Sequence, residues 1–169
     1  MFVSIICYDC FRGEVEFSNR EELESMCLDW DRLRVQSLLI CQRILGTSHK
    51  DMIWRLIYRG ASYADSLQFQ RCIDLWKYAL ELRVRRDSIL WCDTCFLGQT
   101  LARLLCNLHS KYVGVNDRSI DQDVRIEDIM TTVELLVNDM PECHAMLKVF
   151  PVYKRQQVCS LAQNCDKKS

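Results

Sequence analysis

A chain of 169 residues, 49% hydrophobic and 27% charged, is long enough to bury a real core and too apolar to stay disordered. Only 2 prolines and 5 glycines interrupt it, which favours long helices over a turn-rich β-sandwich or a glycine-cradled nucleotide fold. A formal net charge of −1 and a pI near 6.3 give no overall attraction to phosphate backbones or anionic bilayers, so neither nucleic acid nor membrane is expected as a partner.

The apolar patch FVSIICY, residues 2 to 8, has no basic region before it and ends at Asp9. It is short of a signal-peptide core or a membrane span, so export is not expected. Cys165 lies one place too early for a prenylation box, and no lipid anchor is expected. Eleven cysteines would suit a disulfide scaffold in a secreted protein, but the number is odd and many sit inside apolar helical patterns. They read as reduced core residues, which places the chain in cytoplasm or nucleus.

Ser18 and Glu21 have capping-box spacing ahead of EELESM, predicting a helix from about 19. Leu33, Ser37, Leu38, Cys41, Ile44 and Leu45 predict a second over about 30–45, ended by Gly46. Ser48 and Asp51 repeat the cap, and Ile53, Leu56, Ile57, Gly60, Ala61 and Ala64 predict a third over about 51–65. Phe69, Cys72, Ile73, Trp76, Ala79 and Leu80 mark a fourth, ending among Arg83, Arg85 and Arg86. A link of about three residues between the third and fourth makes them an antiparallel hairpin. Leu90, Leu97, Leu101, Leu104, Leu105 and Leu108 predict a fifth over about 88–110. Ile126, Ile129, Val133, Leu136 and Val137 predict a sixth over about 124–138, after the polar loop VGVNDRSIDQD. Pro141 and Pro151 bracket a less regular end, and the tail beyond Ala162 is polar and unpatterned.

A pair of helices this short cannot bury its apolar face alone and must stack on neighbours, with small residues at the crossings and aromatic residues in the gaps. Gly60, Tyr63, Phe69, Cys72, Trp76 and Ala79 fall in the order in which the tetratricopeptide repeat places Gly, Tyr, an aromatic, a small residue, an aromatic and Ala. The closing proline of that pattern is replaced by Val84. By this resemblance the fold is all-α, antiparallel helix pairs of the tetratricopeptide-repeat type in a short α-solenoid. Residues 1–17 form a divergent N-terminal segment, 18–138 the helical-repeat domain, and 139–169 a poorly patterned segment with a polar tail.

RILGTSHKD, residues 43 to 51, resembles the linker of the longer, kinesin-light-chain-like variety of these repeats, with His49 as a loop or capping residue. The run from 19 to 83, with its QRILG, YRGASYAD and CIDLWKYAL blocks, resembles the feminization (Fem-1 homolog) family; residues 84–138 fit more loosely. The resemblance implies an adaptor component of a cullin-2 RING ubiquitin ligase. Such a protein binds elongin B/C and cullin-2 together with degron-bearing substrates, and performs no catalysis. The ankyrin T-P-L-H block and the leucine-cysteine elongin box of that family are not found here, so its degron-binding residues have no counterparts to carry over.

Sharper chemistry has weaker support. WCDTC places Cys92 and Cys95 in thioredoxin spacing, but without a βαβ context they read as core packing at the start of the fifth helix, and a thiol redox role is the alternative. Cys7 and Cys10 form a second C-x-x-C, too far away in sequence to suggest zinc. Arg83, Arg85 and Arg86 read as solvent-facing charge, and Glu21, Glu22, Glu24, Asp29 and Asp31 as helix-opening acids. The carboxylate-clamp positions of some tetratricopeptide domains fall on Ile57 and Ala61, which cannot hold a carboxylate. No catalytic residue, metal or cofactor is expected; a homodimer is a further expectation and a purely structural dimerisation module a second alternative, since repeat stacks with uncapped apolar ends are candidates for self-association.

Overall fold

The computed structural model describes residues 10–114 and 125–149. Cys7, residues 115–123 of the predicted 113–123 loop, Pro151 and the polar tail lie outside the described residues. Seven helices follow in order among the described residues, with no strand: α1 Arg20–Ser25, α2 Trp30–Leu45, α3 Lys50–Asp65, α4 Phe69–Asp87, α5 Cys92–Gly114, α6 Ile126–Asn138 and α7 Met140–Val149. The all-α, solenoid-like expectation holds: the helices pack on one another, and α3 and α4 are joined by only residues 66–68.

Local chemistry sets the ends of the helices. Asn19, not Ser18, caps α1: its side chain accepts from the Glu22 N–H at 2.8 Å, while the Glu22 carboxylate accepts from the Ser18 N–H at 2.8 Å. Asp29 caps α2 by accepting from the N–H groups of Asp31 and Arg32, both at 3.0 Å. Gly46 ends that helix at φ 79°, a conformation that glycine tolerates. His49, rather than Ser48, caps α3, its Nδ1 accepting from the Asp51 N–H at 3.2 Å. That matches the loop-or-cap reading of this histidine.

α3 and α4 make the most extensive helix pair, and α4 also packs against α5 and α6. This central position explains why α4 is buried beyond a single stripe. Leu75, Tyr78 and Leu82 are buried as well as Cys72, Ile73, Ala79 and Leu80. Around it Met52, Ile53 and Leu56 of α3 and Leu97, Leu101, Leu105 and Leu108 of α5 complete one continuous core. Each such side chain contributes about 1.5–3 kcal/mol on leaving water.

Several features depart from the predicted element bounds, among them the end of α5, which runs to Gly114 rather than to about 110. α5 begins at Cys92, about four residues later than periodicity suggests, because residues 88–91 form a turn held from outside. There Ser88 sits at φ 64°, and the Asp139 carboxylate accepts from the Ser88 hydroxyl at 2.9 Å and the Ile89 N–H at 2.7 Å. In addition, α7 is helical where the pattern looked irregular. Pro141 is its second residue, in the first turn, where a missing N–H removes no helical bond.

The N-terminal residues dock on α2 and α4. Phe11 packs edge-on against Tyr78. Gln36, almost fully buried, donates to the Val15 carbonyl at 2.8 Å and accepts from the Phe17 N–H at 3.0 Å. Glu14–Arg32 and Glu16–Arg43 ion pairs flank this contact on the same helix.

Candidate protein-interaction surfaces

The six residues of the repeat signature gather at the α3–α4 joint. Tyr63, Cys72, Trp76 and Ala79 are buried, Phe69 packs against them, and Gly60 faces the Trp76 ring. A Cβ at Gly60 would lie 2.4 Å from Cδ1 and Nε1 of that ring, so the indole occupies the space a side chain would need. Trp76 Nε1 donates to the Ile57 carbonyl at 2.9 Å, fixing the ring in that place. Burial pushes the Cys72 thiol up to about 12, with Asp65 and Asp74 adding to the shift, so this sulfur is an inert packing group.

Tyr63 has a second role that its place in the signature does not reveal. Its hydroxyl donates to Asp31 at 2.7 Å, and the guanidiniums of Arg59 and Arg71 lie 4.1 and 4.2 Å from its ring centroid. Both arginines also pair with Asp31. Partial burial raises the Asp31 carboxyl, but the Tyr63 and Arg71 hydrogen bonds and the charges of Arg71 and Arg59 outweigh it and hold it below its usual value. The same contacts with Asp31, after burial, raise the Tyr63 phenol. Asp31 is therefore more than a helix-opening acid, since one carboxylate ties the start of α2 to both helices of the hairpin.

A second polar node joins α4 to α6. Lys77 donates to the buried Asp128 at 2.5 Å, and Gln70 donates at 2.9 Å to both Asp128 and Asp74. Burial, then the neighbouring Asp128 charge, raises the Asp74 carboxyl against the opposing Gln70 hydrogen bond. Asp139 is held below its usual value despite burial, because it accepts from the Ile89 N–H, Cys143 and Ser88.

Two sequence readings need correction here. Cys92 and Cys95 are exposed rather than packed, because the first turn of α5 turns Thr94 and Leu97 inward instead. Arg83 is buried and pairs with Asp87 at 3.2 Å and Asp93 at 3.5 Å, while Arg85 and Arg86 face solvent as expected. Among the described residues there is no disulfide and no group of three or more residues that could hold a metal ion. No helix among them is long and apolar enough to cross a membrane.

The surface offers two unusual faces. Between α2 and α3 lies a groove of about 600 Å³ lined by Arg34, Ser37 and Leu38 on one side and by Asp51, Trp54, Arg55, Tyr58, Arg59 and Ser62 on the other. Trp54 and Tyr58, four residues apart, are 61% and 71% exposed. Along α6 and into α7, Ile126, Met130, Val133, Val137 and Met140 are also exposed, spaced 4, 3, 4 and 3 residues apart. That is the three-and-four spacing of a single helix face. The groove escaped sequence reading because Trp54 and Tyr58 fall just off the stripe of Ile53, Leu56 and Ile57. Their offset of four was the available signal.

No protein-family model matches the chain. Protein fem-1 homolog A of Danio rerio is 53% identical over 76 residues, which is 45% of this chain and 12% of that protein. Human protein fem-1 homolog A is 51% identical over 79 residues, 47% of this chain and 11% of that protein. Human protein fem-1 homolog C is 51% identical over 79 residues, 47% of this chain and 12% of its own length. The chain thus spans 11 to 12% of the length of these relatives. Close to half of it is a segment related to the Fem-1 proteins, and the relation is confined to that segment.

Proposed function

We propose that this chain is a non-catalytic protein-interaction module that works as part of a substrate adaptor of a cullin-2 ubiquitin ligase, in ubiquitin-dependent degradation. The observation that carries the interaction role is the Fem-1-related segment folded as stacked antiparallel helices, with large aromatic side chains left in solvent. Stacked helix pairs offer broad surfaces suited to binding proteins, and exposed Trp and Tyr are the side chains that dominate such contacts. The ligase assignment, elongin B/C, cullin-2 and degron-bearing substrates come from the family resemblance, and placement in cytoplasm or nucleus comes from reading the cysteines as reduced. The test is isolation of the tagged chain from cells, with cullin-2 and elongins B and C quantified against a tag-only control. Co-enrichment of all three supports the ligase role. Their absence beside another stoichiometric protein removes it and leaves the interaction role, and a chain isolated alone removes both.

Self-association is a component of this reading, supported by the exposed apolar face of α6 and α7. Light scattering on the full chain should give a mass that rises with concentration and falls for Val133→Glu. A concentration-independent monomer removes the dimer. The rival reading is a thiol redox protein, favoured by the exposure of both Cys92 and Cys95. It requires faster reduction of insulin by dithiothreitol in the presence of the chain, lost in the Cys92→Ser/Cys95→Ser variant; no acceleration removes it.

A further inference from the structure

Positive charge in the α2–α3 groove exceeds negative charge. Arg34, Arg55 and Arg59 line it against a single carboxylate, Asp51. Arg34 and Arg55 are exposed and have no ion-pair partner among the described residues. Arg59 lies deeper and shares Asp31 with Arg71, so two guanidiniums divide one carboxylate, and its Nε is buried with no hydrogen-bond partner. The groove wall therefore carries uncompensated positive charge at more than one depth. Trp54 and Tyr58 add large apolar surface to the same wall. Paired arginine and exposed aromatic residues are the groups that bind carboxylates and apolar side chains together.

We propose that the α2–α3 groove is a docking site for an acidic protein segment, whose carboxylates meet Arg34, Arg55 and Arg59 while an apolar side chain lies on Trp54 and Tyr58. This rests on the protein-interaction reading and names the surface and partner chemistry that it leaves open. A peptide fits better than nucleic acid. The cations are confined to one groove of a chain with net charge −1, whereas a polyanion needs a continuous basic track.

The test is fluorescence anisotropy on the full chain with a short labelled peptide in which Glu and Asp alternate with Leu. The same peptide with Gln and Asn, and a labelled single-stranded oligothymidine, serve as comparisons. The acidic peptide should bind, the amide peptide at least about tenfold more weakly, and added salt should weaken the acidic one. Arg34→Glu/Arg55→Glu should weaken acidic-peptide binding by about tenfold or more. Its thermal melt should not change, since both side chains are exposed and unpaired. Trp54→Ala should weaken binding several-fold. Equal affinity for acidic and amide peptides, no effect of charge reversal, or stronger binding to oligothymidine overturns the proposal. If the reversed variant still isolates from cells with the same protein partners as the native chain, the groove assignment fails while the interaction role stands. If the native chain isolates with none, the broader reading fails.

Discussion

Replacing Gly60 by alanine probes the joint between α3 and α4. In an ordinary helix the change would help by about 0.5–1 kcal/mol, because alanine loses less backbone freedom. Here the new Cβ would stand 2.4 Å from two atoms of the Trp76 ring, about 1 Å inside normal contact. The ring cannot swing aside freely, since its Nε1 is bonded to the Ile57 carbonyl and its faces are packed. Overpacking of this kind costs about 1–3 kcal/mol, and displacing the indole loses a hydrogen bond of about 0.5–1.5 kcal/mol. Subtracting the propensity gain leaves a destabilisation of about 1–3 kcal/mol, or several degrees in the melting temperature of a chain this long. Circular dichroism melts of native, Gly60→Ala, Trp76→Leu and double variants form the assay. Trp76→Leu should destabilise strongly through lost burial, but in its background Gly60→Ala should become neutral or stabilising. A penalty of the same size in both backgrounds would refute the claim that Gly60 is needed to seat Trp76.

Three further outcomes follow from the polar and thiol groups. Lys77→Met should destabilise by about 3–5 kcal/mol, because it leaves the buried Asp128 carboxyl without its cation, and Lys77→Met/Asp128→Leu should recover most of that loss in urea unfolding; an additive double variant contradicts the pairing. The lowered Asp31 carboxyl contributes stability that is fully present above its unfolded value near 3.8 and lost as pH falls through the lower folded value. The urea midpoints of native and Asp31→Asn chains should therefore differ at neutral pH and converge in strong acid, and a gap that persists there refutes it. Native-state alkylation mapped by mass spectrometry should label Cys92 and Cys95 and spare Cys72 until the chain unfolds. Equal labelling would remove Cys72 from the core.

Much of the helical framework was legible because its signals are local. Apolar spacing located α2, α3 and α4 to within about one residue, and the Gly60-to-Ala79 signature falls on the helix pair where Gly60 meets the Trp76 ring. The caps slipped by one residue where two capable residues stood side by side, Ser18 with Asn19 and Ser48 with His49. What could not be read depends on residues far apart in sequence. The late start of α5 follows from Asp139 gripping Ser88 and Ile89 from fifty residues away. Gln36, an unremarkable polar residue in an amphipathic pattern, turns inward to hold the backbone of residues 15 and 17. The exposure of Cys92 and Cys95 follows from the orientation of the first turn of α5, which periodicity over leucines does not fix. The groove arginines were individually ordinary, and only the packing of α2 against α3 makes them neighbours.

The central claim is that the chain acts by offering a helical surface to a protein partner. Crosslinking and mass spectrometry on the tagged full chain, isolated from cells with its bound proteins, tests this most directly. The account predicts a partner present at stoichiometry, with crosslinks concentrated at Lys50 and along the neighbouring faces of α2 and α3. A chain that isolates without a stoichiometric partner, or whose crosslinks scatter over the surface without preference, contradicts it.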